Sequence, residues 1–275
     1  MATDGAEGTT YDTIRYEVID RTALITLDRP DQLNALSPHM VQELRHAYDA
    51  AEADEAVWTL LVTANGRAFC TGADVTEIPD DGKVVDEAPY LSTLEQWEAP
   101  QEGTPPFRTM TKPVIAAING LCCGAGLDWV TTGDIVIASE KAEFFDPHVS
   151  IGLVSGREMV RLARVLPTNV AMRLALTGKH ERMPAQRAYE LGLVSEVVEH
   201  DRLLERALEI AALVNRNAPL AVRGTRLAIR KGLDVPLHEA EILAEAFRER
   251  VVRTEDAAEG PKAFLEKRPP EWRGR

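Results

Sequence analysis

Period-two patterning in Thr13-Ile14-Arg15-Tyr16-Glu17-Val18-Ile19, followed by the apolar run Ala23-Leu24-Ile25-Thr26-Leu27, predicts two antiparallel strands turning at Asp20-Arg21. Ser37-Pro38 then opens a helix, serine as N-cap and proline in the first turn, with Met40, Val41, Leu44, Ala47 and Ala51 as its buried stripe. Apolar runs at 57–63, 113–118 and 135–138 read as further strands, each close to a helical pattern, so strand, strand, helix units recur. Residues 75–103 break this rhythm. They are acidic, with Lys83 as the one cation, and rich in proline and glycine, which predicts a long surface segment or lid. After Asp201 the pattern turns wholly helical, with stripes at Leu203, Ala207, Ile210, Leu213 and Val214, then Leu220 to Ile229, then Ile242 to Val251. A boundary near 200 thus separates a mixed α/β core, 12–200, from a helical C-terminal region, 201–275.

Composition narrows the class. A chain of 275 residues buries a substantial core without disulfide or metal staples. Its net charge of −13 makes it a poor partner for nucleic acid or an anionic membrane, and a polyanionic ligand would need a local basic pocket. Residues 1–11 read as a disordered tail, since Met1 to Thr10 carry neither the basic nor the apolar stretch of a targeting signal. No run has the ~18 apolar residues of a membrane span. Cys70, Cys122 and Cys123, odd in number and two of them adjacent, do not form a disulfide framework, and a reducing cytoplasmic setting is expected.

Two short turns carry the chemical signal. Ala68-Phe69-Cys70-Thr71-Gly72-Ala73-Asp74 and Asn119-Gly120-Leu121-Cys122-Cys123-Gly124-Ala125-Gly126-Leu127-Asp128 each follow a strand pattern, and the second leads into a helix. Small residues there allow backbone N–H groups to converge on one anionic oxygen, aided by the helix dipole. Chemistry that builds negative charge on a carbonyl oxygen profits most. A dinucleotide site has similar ingredients, but Trp129 occupies the third glycine position of its fingerprint, where close helix packing excludes bulk.

Together with Ile25-Thr26-Leu27-Asp28-Arg29-Pro30-Asp31-Gln32-Leu33-Asn34-Ala35-Leu36 and Glu259-Gly260-Pro261-Lys262-Ala263-Phe264-Leu265-Glu266-Lys267-Arg268, these turns resemble the enoyl-CoA hydratase/isomerase (crotonase) family from about residue 12 onward. The resemblance implies an α/β spiral of ββα units whose C-terminal helices assemble trimers or dimers of trimers. It implies an acyl-CoA thioester as substrate, no cofactor beyond that coenzyme A, and no metal. The oxyanion donors fall on the N–H groups of Ala73 and Ala125, with Gly72, Asp74 and Gly124 beside them in the acyl-CoA site. Arg67 matches a position that contacts the nucleotide end, and Phe264 and Lys267 match residues that reach a neighbouring subunit's ligand. Asp31 and Thr76 replace other basic positions of the family.

The two glutamates of the hydratases fall on Asp128, one methylene shorter, and on His148. An imidazole transfers protons near neutral pH but lacks a carboxylate's negative charge. Asp146 and Glu158 are further candidates without a matching family role. The leading expectation is reversible hydration of a 2-enoyl-CoA through an oxyanion-stabilised enolate. Double-bond isomerisation, hydrolysis of a C–C bond in a CoA ester, and a non-catalytic acyl-CoA-binding scaffold stay open. A thiol nucleophile at Cys122 or Cys123 and a metal bound by Asp128, Asp146 and His148 are disfavoured, the thiols because buried cysteines are commonly inert and the metal because no ligand spacing supports it.

Overall fold

The computed structural model describes residues 10–74, 76 and 110–275. The expected tail up to Thr9 and nearly all of the acidic segment 75–103 lie outside the described residues. Tyr11, which the tail expectation includes, is held in place: its hydroxyl is 2.7 Å from His46 Nδ1.

Among the described residues, ten strands form two sheets. The larger has the order β1 (Ile14–Ile19), β2 (Thr22–Leu27), β3 (Thr59–Ala64), β5 (Val114–Ile118), β7 (Ile135–Ser139) and β10 (Glu196–Val198). The smaller has the order β4 (Ala68–Cys70), β6 (Leu121–Cys123), β8 (Glu143–Phe145) and β9 (Met183–Pro184). Each of the pairs β3–β4, β5–β6 and β7–β8 therefore sends one strand to each sheet, which makes the spiral. Among the described strand pairs, only β1–β2 and β8–β9 are antiparallel.

The alternation of a strand explains how the large sheet is covered on both faces. Along β5, Val114, Ala116 and Ile118 enter the main core, whereas Ile115 and Ala117 face a second cluster with Leu24, Leu61 and Ile137. That second cluster is closed by Leu203, Ala207 and Ala211, four residues apart on α6 (Leu203–Asn215), where alanines let the helix approach closely. Ile210 is only half-buried and Leu213 is exposed, so the face of α6 that meets the sheet is rotated from the one its large apolar residues suggested.

Helix α1 (Pro38–Ala53) starts as expected, with Ser37 Oγ accepting from Met40 N at 3.1 Å. Val41 is only half-buried, and the buried face also contains Glu43 and Tyr48. Both are polar groups with partners. Glu43 accepts from the N–H groups of Asp12 and Thr13 at 2.7 and 2.9 Å, and Tyr48 Oη accepts from Trp129 Nε1 at 2.9 Å. Trp129, on α2 (Leu127–Thr132), is thus a fully buried core residue packed edge-on to Phe69.

Helices α3 (Arg157–Val165), α4 (Thr168–Thr177) and α5 (Ala185–Glu190) precede β10. Beyond α6 come α7 (Pro219–Gly232), α8 (Leu237–Val251) and α9 (Glu255–Glu266). The helical expectation ends there. The last residues fold back without regular secondary structure, with Arg273 N and Gly274 N donating to the buried Asp256 carboxylate at 2.7 and 2.9 Å and Trp272 Nε1 to Arg216 O at 2.8 Å.

Candidate active site

Parallel pairing of β4 with β6 lays the two glycine turns side by side. Gly72 and Gly124 have φ of +92° and +54°, a region that L side chains rarely adopt. A Cβ at Gly72 would lie 3.5 Å from Ala125 N, and one at Gly124 would lie 3.3 Å from Gly72 Cα and 3.8 Å from His148 Cε1. These short separations bring the Ala73 turn, the Ala125 turn and the His148 ring to one place. Ala73 forms a parallel bridge with Leu36, in which Leu36 N donates to Gly72 O at 2.8 Å and Asp74 N donates to Leu36 O at 3.0 Å. Such a bridge uses the peptide groups on either side of Ala73 and turns its own N–H away from Leu36.

His148 opens a short 3₁₀ turn after β8. Its Nδ1 lies 2.7 Å from Asp146 Oδ1, and its backbone N donates to the same oxygen at 2.8 Å. Asp146 is fully buried and the histidine side chain is a quarter exposed. Burial pushes the Asp146 carboxyl up, but the hydrogen bonds from His148 outweigh it and hold the group below the ordinary carboxylate range. The bond to Asp146 in turn raises the imidazole above its ordinary value, against burial and with help from the charges of Asp146 and Glu158.

Asp128 sits in the first turn of α2 and is also fully buried. Its carboxylate meets Arg157 Nη2 at 3.2 Å and, closer still, Arg161 Nη1. Arg157 also reaches Glu158 Oε1 at 3.5 Å. These arginines are absent from the sequence-derived set of site residues. Their spacing of four residues, which puts both on one face of α3, was the available signal.

Asp74 is an anchor within its turn. It accepts from Thr76 N and Thr76 Oγ1 at 3.1 and 2.6 Å and pairs with Arg29 Nη1 at 3.1 Å, and the Thr76 hydroxyl is the chief cause of its lowered pKa. Arg67 is exposed just ahead of β4. Phe264 is 82% exposed on α9, and Lys267 caps that helix in the left-handed conformation. The three cysteines are buried and free, and burial pushes the thiols of Cys70 and Cys123 up to about 12 and that of Cys122 well above its ordinary value. Such thiols are small hydrophobes rather than nucleophiles.

Two sheets in a ββα spiral, with paired glycine turns beside an imidazole bound to a buried carboxylate, define the architecture of an acyl-CoA enzyme of the crotonase type. The sequence profile described as enoyl-CoA hydratase/isomerase matches residues 19–275, and the chain belongs to that family. A crystal structure of an enoyl-CoA hydratase/isomerase from Mycobacterium paratuberculosis is similar, with a TM-score of 0.89 and 76% identity over 97% of this chain and 100% of that one. Among characterised proteins, the mevalonyl-coenzyme A hydratase of Aspergillus fumigatus is 35% identical over 253 residues, 91% of this chain and 90% of its own length. The 2,3-dehydroadipyl-CoA hydratase of Escherichia coli is 34% identical over 259 residues, 93% and 96% of the two chains.

Proposed function

We propose that this protein catalyses the reversible hydration of a 2-enoyl-CoA thioester, with His148 as its proton carrier. The observation that carries the reading is the approach of Gly72, Ala125 and His148 within a few ångströms of one another. In the proposed step, His148 Nε2 accepts a proton from water as the water oxygen bonds to Cβ. The displaced electron pair passes to the thioester oxygen, where the N–H groups of Ala73 and Ala125 stabilise the enolate. The enolate then takes the proton back from Nε2 at Cα, so that one water has been added and the enzyme is restored.

Arg67, Phe264 and Lys267 are proposed to hold the coenzyme A portion, the last two from a neighbouring copy. Their exposure, and that of Leu237 and Leu265, supports a trimer or a dimer of trimers. No group beyond the substrate's own coenzyme A enters the proposed reaction. Buried, reduced thiols support a cytoplasmic setting.

The arginine pairing of Asp128 favours a second reading, double-bond isomerisation, which needs one proton shuttle and no activated water. Incubation with 2-enoyl- and 3-enoyl-CoA esters of several chain lengths tests both. Loss of conjugated thioester absorbance with a gain of one water in mass supports hydration. Interconversion of the two esters at constant mass supports isomerisation, chain cleavage supports hydrolysis, and tight binding without turnover supports a scaffold.

A further inference from the structure

We infer that Asp146 is a positioning residue that holds His148 in the Nδ1–H form and so presents Nε2 as the proton acceptor. The inference rests on the proposed role of His148 and adds to it a second group and a tautomer. Its basis is geometric. An ionised carboxylate only accepts hydrogen bonds, so the 2.7 Å contact with Asp146 Oδ1 requires the proton on Nδ1. Asp146 Oδ1 also accepts from His148 N, and this second bond fixes the carboxylate relative to the ring's own backbone. The carboxylate is fully buried, which excludes competing water and strengthens both bonds. With Nδ1 committed, Nε2 is the ring nitrogen left for the space beside Gly124, whose would-be Cβ lies 3.8 Å from Cε1.

The other titratable or charged groups on the surrounding elements are Arg157, Glu158, Arg161 and Arg164 on α3, Arg173 on α4, Lys179 and His180 in the turn after α4, Cys123 on β6, Glu143 on β8, Arg182 ahead of β9, and Arg187, Tyr189 and Glu190 on α5. Arg161 pairs with Asp128, Arg164 with Asp234, Arg182 with Glu143 and Arg187 with Glu190. Glu158 pairs with Arg157, and Arg173 pairs with Glu181. Lys179 and His180 are exposed, and the Cys123 thiol stays protonated at neutral pH. Asp146 therefore dominates the protonation of His148. Because it favours the imidazolium, it places the acid limb of turnover above the ordinary imidazole value of 6.5. Turnover falls as the pH drops through that limb and the acceptor is lost.

The first measurement is NMR of the unmodified protein with labelled histidine, reading the His148 ring carbons and nitrogens across its titration. The neutral ring is expected in the Nδ1–H form, and finding the Nε2–H form overturns the inference. The second is Asp146→Asn, checked for folding by thermal melting. An asparagine amide can donate to Nδ1 and drive the proton to Nε2. We expect kcat to fall by about 10²–10⁴-fold with KM little changed, as for loss of a positioned acid or base. The His148 titration and the residual acid limb should move together to lower pH. Wild-type kcat and an unmoved limb in folded Asp146→Asn overturn the inference while His148→Ala remains inactive. Full turnover by His148→Ala instead removes the proposed role of His148 itself, which keeps the two failures distinct.

Discussion

Asp128 and Asp146 are both fully buried at one end of the spiral, yet they are held differently. Asp128 is gripped by Arg157 and Arg161 from α3, and Asp146 by the imidazole and backbone of His148 two residues on. A guanidinium keeps its proton at any working pH, so the Asp128 cluster is an electrostatic clamp between α2 and α3. An imidazole exchanges its proton near neutrality, so the Asp146 cluster can take up and release a proton. Two carboxylates of equal burial thus acquire different capacities from their partners alone.

The sharpest way to break this contrast is to remove the partner that moves. His148→Ala is expected to lower turnover by about 10²–10⁴-fold while leaving CoA-ester affinity largely intact, measured by steady-state kinetics and calorimetric titration. Retained turnover would make the histidine structural and return the search for a base to Asp128, Asp146 and Glu158.

Asp128→Ala tests the other side. It removes the buried carboxylate that holds Arg161 and, beside Glu158, Arg157, and a loss of about 3–5 kcal/mol of stability is expected in chemical denaturation. If the residual activity keeps the wild-type pH profile, the clamp reading stands. If instead stability is unchanged and a pH limb disappears, Asp128 is the proton-transfer group.

Gly124→Val separates either cluster from the turns they flank. A branched side chain at φ +54°, with Gly72 Cα 3.3 Å from its Cβ, must spread the two turns. Loss of one oxyanion donor corresponds to about 2.7–4 kcal/mol of barrier, so kcat should drop about 10²–10³-fold in a protein that remains folded. Equal activity in the folded variant would sink the assignment of Ala73 and Ala125.

The smallest expected effect is on stability against pH. His148, raised in the folded state, contributes stability that is fully present below its unfolded value of 6.5 and is lost as pH rises through the folded value. Asp146, lowered in the folded state, contributes stability present above its unfolded value of 3.8 and lost as pH falls through its folded value. Denaturation midpoints should therefore carry a decline as pH rises above 6.5 and through the folded His148 value, which His148→Ala abolishes and Asp128→Asn does not. The same decline in His148→Ala would assign it to another group.

Much of the fold was legible because strand alternation and helix caps are local. Ser37-Pro38 marks the start of α1, and the small residues around Gly72 and Gly124 mark backbone that must approach something closely. The rotation of α6 was not legible, since it depends on which face fits a sheet assembled from strands far away in sequence. Nor was the burial of Glu43 and Tyr48, whose partners Thr13 and Trp129 arrive from other elements.

At the site, sequence alone determined which residue types stand in the two turns, and the family resemblance singled out Asp128 and His148 as candidates. Only the tertiary structure decided which carboxylate met which cation. Docking of α3 against α2 gives Asp128 to the arginines, and the turn after β8 folds the His148 ring back onto Asp146. Charge and proton affinity inside a protein depend on distances of a few ångströms in a poorly polarisable interior, and such distances between separate elements are set by packing, to which no local pattern of residues corresponds.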